Sequence, residues 1–179
     1  METETDFGYY TETYQLPDSS FVNVEILDTG GQERYNAINK NYYRIADCCL
    51  LVYDITNEES FKEIINYYLK EIKENCKDGI KIILLGNKTD LENRVISKED
   101  GIKVAEKNGF IFMETSCELN SNVSDAFETL ISMTNEDMKK NNTINATSAK
   151  DKFKINTDTG DMGIVPKNKF KNKSKIICC

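Results

Sequence analysis

Asn87, Lys88 and Asp90 follow directly on an apolar run, Ile82, Ile83, Leu84 and Leu85, that ends at Gly86. The run has strand length and no polar alternation, which predicts a strand buried on both faces, as in parallel sheets covered by helices. Polar side chains just beyond the carboxyl end of such a strand lie in the crevice where open α/β sheets bind ligands. A carboxylate there, Asp90, can accept two parallel hydrogen bonds from the N1–H and the amino group of guanine, donors that adenine does not present together. Leaving buried polar groups unpaired is costly, so such a pairing is a physical basis for choosing one purine over the other. Taken alone, the four residues 87–90 fit an ordinary polar strand-to-loop turn equally well.

Order and context decide between the two. Upstream lies ILDTGGQERY (residues 26–35), then NYYRIADCCLLVYDIT (41–56), and downstream lies ETSCE (114–118). With the Asn-Lys-x-Asp element these segments resemble the Ras-like small GTPases and, through Tyr42-Tyr43-Arg44 followed by LLVYDIT, the Rab branch in particular. The likeness runs from about Phe21 to Met138.

The resemblance implies binding of GTP/GDP and Mg2+. Residues 28–32 (Asp28, Thr29, Gly30, Gly31 and Gln32) would form the phosphate-side loop, with Asp28 holding the metal through water, the Gly31 N–H meeting the γ-phosphate, and Gln32 as the catalytic residue that orients the attacking water. Phosphoryl transfer needs little more than such positioning and charge neutralisation. Asn87, Lys88 and Asp90 would form the base pocket, with the Lys88 stem along the ring and Ser116 and the Cys117 N–H at the guanine oxygen.

The chain also departs from the family pattern. Gly30 stands where Ala is usual, and the added backbone freedom predicts slower loop closure and weaker hydrolysis, so Gly30→Ala should hydrolyse faster. Glu118 stands where Lys is usual and should lower affinity beside the base. No Gly-x-x-x-x-Gly-Lys-Ser/Thr occurs among the nine glycines. That loop normally supplies the amides, lysine and hydroxyl that cradle phosphates and magnesium, so most of the nucleotide affinity should be missing. In the family it follows a first strand lying between the strands that here end at Asp28 and Asp54, and it precedes the first helix. Without them two interior strands should lose their partners and leave backbone exposed to aggregation. The family's magnesium-binding switch threonine would fall near Thr3 or Thr5, so the expectation is an N-terminally truncated chain.

The elements that position these residues can be read from spacing. Residues 9–16 and 21–27 flank the turn cluster Pro17-Asp18-Ser19-Ser20 and predict a hairpin. A short amphipathic helix is expected around residues 35–43 and a buried strand over 48–53. Phe61, Ile64, Ile65, Tyr68, Leu69 and Ile72 recur at helical spacing and predict a helix over about 58–75. Ser97 with Asp100 makes a capping pair for a helix ending near Gly109. A short strand is expected over 110–113 and a last helix over 123–139. The fold class expected is α/β: a P-loop GTPase-like, mostly parallel sheet with helices on both faces, shortened at its amino end. Residues 1–140 would form the incomplete domain and 141–179 a disordered tail.

The 179 residues, 39% apolar and 30% charged, suit one domain and a tail. The net charge of −7 is uneven: five of the 23 basic groups lie in residues 165–179 with no acid, leaving 18 against 30 acidic groups in the body. That body is a poor ligand for nucleic acid. The amino end lacks an apolar leader core and no apolar run reaches membrane-span length, so a cytosolic chain is expected. The six cysteines show no zinc-site spacing and are expected as free thiols. Histidine is absent, which excludes His-based general-base chemistry.

The terminal Cys178-Cys179 resembles the double geranylgeranylation signal of Rab proteins, and the lysines before it would add attraction to an anionic leaflet. The resemblance therefore implies a GTP/GDP switch of vesicle traffic on the cytosolic face of membranes. Its partners would be prenylation machinery with its escort protein, and effectors, an exchange factor and an activating protein of the Rab type. Hydrolysis is expected only of a full-length form. The alternatives are a nucleotide-independent, lipid-anchored interaction module and a non-functional gene fragment.

Overall fold

The computed structural model describes residues 7–16, 18–29, 36–150 and 173–179. In chain order the elements are β1 (Phe7–Gln15), β2 (Phe21–Thr29), α1 (Asn36–Ile45), β3 (Cys48–Asp54), α2 (Glu58–Glu63), a π-helical turn (Ile64–Tyr68), α3 (Leu69–Asn75), β4 (Lys81–Asn87), α4 (Lys98–Asn108), β5 (Ile111–Glu114), α5 (Val123–Lys150) and β6 (Lys173–Cys178). The sheet order is β1-β2-β6-β3-β4-β5. Only β1 runs antiparallel, paired with β2 through the expected hairpin. The parallel strands β2, β6, β3, β4 and β5 therefore present their carboxyl ends along one edge.

Alternation along the strands divides the core between the two faces. Cys49, Leu51, Tyr53, Ile82, Leu84 and Ile177 pack on one face beneath Tyr43 of α1, Phe61 of α2, Ile72 of α3 and Ala105 of α4. Cys48, Leu50, Ile83, Leu85 and Ile176 pack on the other beneath Ala126, Leu130 and Ile131 of α5. Helices on both faces explain why Ile82–Leu85 carries no polar alternation: each side chain meets a covered layer.

Local signals hold where they were strong. The Ser97 hydroxyl accepts the Asp100 N–H at 3.1 Å and donates to the Asp100 carboxylate at 2.6 Å. Gly109 ends α4 at φ 72°, a left-handed cap that glycine adopts without a Cβ clash. Within 58–75 the helix is continuous but contains the wide turn at Ile64–Tyr68, which the spacing did not mark.

The carboxyl-terminal region differs from expectation in two ways. α5 continues to Lys150, past the boundary expected near Lys139. More consequentially, residues 173–178, expected in a free tail, form β6 and fill the place between β2 and β3. The prediction that these two interior strands would lie unpartnered is thus corrected. β6 pairs with β2 from Asn23↔Lys173 to Asp28↔Cys178, and with β3 at Cys48↔Ile176, Cys49↔Ile177 and Leu50↔Cys178. The cause is apolar burial: Ile176 and Ile177 are both fully buried, one on each face, which offsets the cost of ordering a lysine-rich segment.

Candidate functional site

The candidate site is built on the carboxyl-terminal edge of the sheet. β4 and β5 are adjacent and parallel, with Gly86 paired to Glu114, so the loops that leave them emerge side by side. The first carries Asn87, Lys88 and Asp90; the second carries Ser116 and Cys117. Ser116 is fully buried, and its hydroxyl donates to the Asp90 carboxylate at 2.5 Å while accepting the Leu119 N–H at 3.1 Å. The Thr115 hydroxyl donates to the Asn87 side-chain oxygen at 3.2 Å, and the Thr89 N–H donates to the Thr115 carbonyl at 3.2 Å. Two sequence elements some 26 residues apart are thereby fixed to one another. A carboxylate has about four acceptor positions, so one bond from Ser116 leaves Asp90 capacity for a donor pair.

Lys88 stands apart in its backbone. Its φ of 71° lies in the left-handed region, which is uncommon for a residue with a Cβ and persists only where neighbours over-determine it. Its ammonium meets the Asp54 carboxylate at 2.7 Å, and the Leu91 N–H donates to its carbonyl at 3.0 Å. Asp54 ends β3 and also accepts the Thr56 N–H and hydroxyl, at 2.8 and 2.7 Å. Burial alone would raise the Asp54 pKa, but the hydrogen bonds from Lys88 and Thr56 outweigh it and hold it below its ordinary value. The same Asp54 partner pushes the Lys88 pKa up. Asp54 and Thr115 were missed as site residues in the sequence. The signal for Asp54 was its position, an acid closing the LLVY run on the strand next to β4.

Asp28 lies at the end of β2 on the same edge, exposed, three strand steps from β4, or roughly 14 Å at about 4.8 Å per step. An exposed carboxylate on that edge suits a magnesium ion, which takes one or two carboxylates and otherwise water and phosphate oxygens. Thr29 is buried, its hydroxyl 2.8 Å from the Cys178 carbonyl and 3.3 Å from the Cys179 sulfur, so its side chain is engaged by β6 rather than by the crevice. Gly30, Gly31 and Gln32 lie outside the described residues. Cys117 and Glu118 are exposed beside the base-side loop. Cys178 and Cys179, expected at the end of a free tail, instead sit at the β6 terminus within the sheet, because the Ile-Ile-Cys-Cys run supplies the apolar strand that the slot accepts.

A parallel sheet whose fourth and fifth strands bring Asn-Lys-x-Asp against a buried serine is matched by a family model, Ras family, over residues 2–136. The chain belongs to the Ras family. Among its relatives, the Ras-related protein Rab-13 of Canis lupus familiaris is 46% identical over 110 residues, covering 61% of this chain and 54% of the relative. The Ras-related protein RABA2b of Arabidopsis thaliana is 40% identical over 135 residues, 74% of this chain and 62% of the relative. Ras-like protein 1 of Saccharomyces cerevisiae is 41% identical over 123 residues, 68% of this chain and 40% of the relative. The Rab-named relatives agree with the Rab-branch resemblance of the Tyr42-Tyr43-Arg44 and LLVYDIT segments. This Ras-family chain spans between half and two thirds of the length of the first two of these relatives. Among the described residues no helix is long and apolar enough to cross a membrane.

Proposed function

We propose that the chain acts as a Rab-type GTP/GDP switch in vesicle-mediated membrane traffic, with guanine held by Asn87, Lys88, Asp90, Ser116 and the Cys117 N–H. The observation that carries this is the Ser116–Asp90 hydrogen bond, which holds the carboxylate of the loop after β4 against the loop after β5. A site built on unpaired hydrogen-bonding groups rejects a ring that cannot satisfy them, so guanine is preferred over adenine. Asp28 would hold magnesium on the phosphate side, and the metal would supply charge neutralisation there; Gln32 would orient water. In such a role the chain would meet effectors, an exchange factor and an activating protein of the Rab type. Cys178 and Cys179 would carry prenyl groups added by prenylation machinery and its escort, anchoring the chain to the cytosolic face of a membrane.

A second function is favoured by a separate observation. The 179 residues contain no Gly-x-x-x-x-Gly-Lys-Ser/Thr, and β6 occupies the slot between β2 and β3. Within these residues the missing motif favours weak nucleotide affinity and, with it, the nucleotide-independent, lipid-anchored interaction module, whose anchor would need Cys178 and Cys179 to leave their half-buried places at the end of β6. Equilibrium titration of the purified chain with fluorescent GDP and ADP separates the two. Binding of GDP with ADP excluded is expected of the switch; equal binding, or a preference for ADP, refutes the base-pocket assignment; binding of neither supports the module.

A further inference from the structure

A groove of about 620 Å³ opens at the amino ends of β4 and β5, where the last turns of α3 and α4 come together. It lies at the edge of the sheet opposite to Asn87 and Asp90, about 20 Å away along the seven residues of β4. Leu69 and Ile72 of α3, Phe110 before β5 and Met133 of α5 supply its apolar side. All of these but Ile72 are only half-buried, so the packing here is unfinished. A concavity of this size is in the range that holds small molecules.

The rim is basic. Lys73, Lys77, Lys81 and Lys107 line the groove, against one acid, Asp78. Two of the lysines are engaged: Lys77 meets Asp47 at 2.9 Å and Lys81 meets Asp137 at 2.6 Å. Lys73 and Lys107 are exposed and make no ion pair among the described residues. Both stand in the last turn of a helix, where a cation complements the carbonyl end. Those ends are nevertheless capped by other groups. In α3 the Asn75 amide donates to the Glu71 carbonyl at 2.9 Å and the Cys76 N–H to that of Ile72 at 2.8 Å. In α4 the Asn108 amide donates to the Val104 carbonyl at 2.8 Å, and the Phe110 and Gly109 N–H groups to those of Ala105 and Glu106 at 2.9 and 3.2 Å. Capping therefore leaves the two ammoniums available, and beside an apolar floor they favour an anion with a hydrocarbon body.

We propose that this groove binds a single-chain amphiphile of the fatty-acid class, its carboxylate between Lys73 and Lys107 and its chain along Leu69, Phe110 and Met133. The carboxylate accepts from both ammoniums, and the chain leaves water for side chains that the core does not fully cover. Occupancy would join the ends of α3 and α4 across the starts of β4 and β5, on the edge away from the base-side loops. The inference rests on neither nucleotide binding nor lipid attachment at Cys178 and Cys179.

The test is isothermal titration of the purified full chain with laurate below its micelle concentration, and with dodecyltrimethylammonium, which has the same tail and the opposite charge. One laurate per chain is expected, with the cationic amphiphile bound at least about tenfold more weakly. Lys73→Gln combined with Lys107→Gln, at two exposed positions, should weaken laurate by at least about fivefold with the fold retained. In methionine-methyl NMR, laurate should move the Met133 signal and leave that of Met113, outside the groove, in place. Absence of saturable binding, which would include a groove already filled by other residues of the chain, overturns the site. Several laurates per chain with no preference for the anionic head, an affinity that the double substitution leaves unchanged, or an unmoved Met133 signal at saturation overturns it as well.

Discussion

The Ser116 hydroxyl and the Asp90 carboxylate meet at 2.5 Å, across the gap between the loops that follow β5 and β4. Ser116 is fully buried, and Asp90 is half-buried at the crevice. Removing the hydroxyl strands two groups, the carboxylate and the Leu119 N–H that Ser116 accepts. Ser116→Ala should therefore cost about 1–3 kcal/mol of stability, measured by urea denaturation. A loss under about 0.5 kcal/mol would mean that the two loops are not held by this bond.

Asp90→Asn keeps the shape of the side chain and turns one acceptor into a donor. If the carboxylate reads the amino edge of guanine, the substitution should weaken GDP and favour xanthosine diphosphate, which carries a carbonyl where guanine has the amino group. Competition between the two diphosphates for the variant gives the answer. An unchanged order of preference would remove Asp90 from the recognition of the base.

Asp54 and Lys88 make a prediction with a definite sign in pH. The Asp54 pKa is depressed in the folded chain, so its contribution is present above the ordinary aspartate value of about 3.9 and is lost as pH falls through the folded value. The Lys88 pKa is raised, so its contribution is present below the ordinary lysine value of about 10.4 and is lost as pH rises through the folded value. Carboxyl-carbon NMR titration should show the Asp54 pKa moving upward in both Lys88→Ala and Lys88→Gly. Stability should separate those two variants, because glycine relieves the left-handed φ of 71° while alanine does not. The glycine variant should be the more stable by roughly 1 kcal/mol.

Gly101 is a packing constraint rather than a flexible joint. A Cβ at this position of α4 would come within 2.4 Å of Phe112 Cε2 and 2.6 Å of the Tyr53 hydroxyl, both side chains anchored in the sheet. Gly101→Ala should lower stability by about 1–3 kcal/mol, despite the better helix propensity of alanine. Differential scanning calorimetry would record this as a lower Tm, and an unchanged or raised Tm would show that Phe112 can move aside.

The base-side loops were legible because local and global signals agreed there. Ile82, Ile83, Leu84 and Leu85 read as a doubly covered strand, and α4 is bracketed by local caps, the Ser97 hydroxyl on the Asp100 N–H at one end and the left-handed Gly109 at the other. Asp54 was harder, since its role exists only once β3 lies beside β4 and brings Lys88 within reach. β6 was the least legible element. Alternating lysines read as a solvated tail, and its strand character comes from partners about 150 residues away in Asn23 to Asp28, a relation that no local pattern records. The wide turn at Ile64–Tyr68 has no sequence signal that we can name.

β1 forms the outermost strand of the sheet, and its far side offers a row of backbone donors and acceptors to the surroundings. Tyr9 and Tyr10 project to opposite faces and are 59% and 61% exposed, whereas Tyr14 farther along the strand packs against the α5 side of the core, so the helices leave only the first part of this margin bare. Phe7–Gln15 carries no lysine and no proline, the residues that usually blunt such a margin. Solubility should accordingly fail here first: concentrated solutions should scatter light through side-by-side association of these margins. Thr11→Lys should postpone that onset to higher concentration with the Tm unmoved.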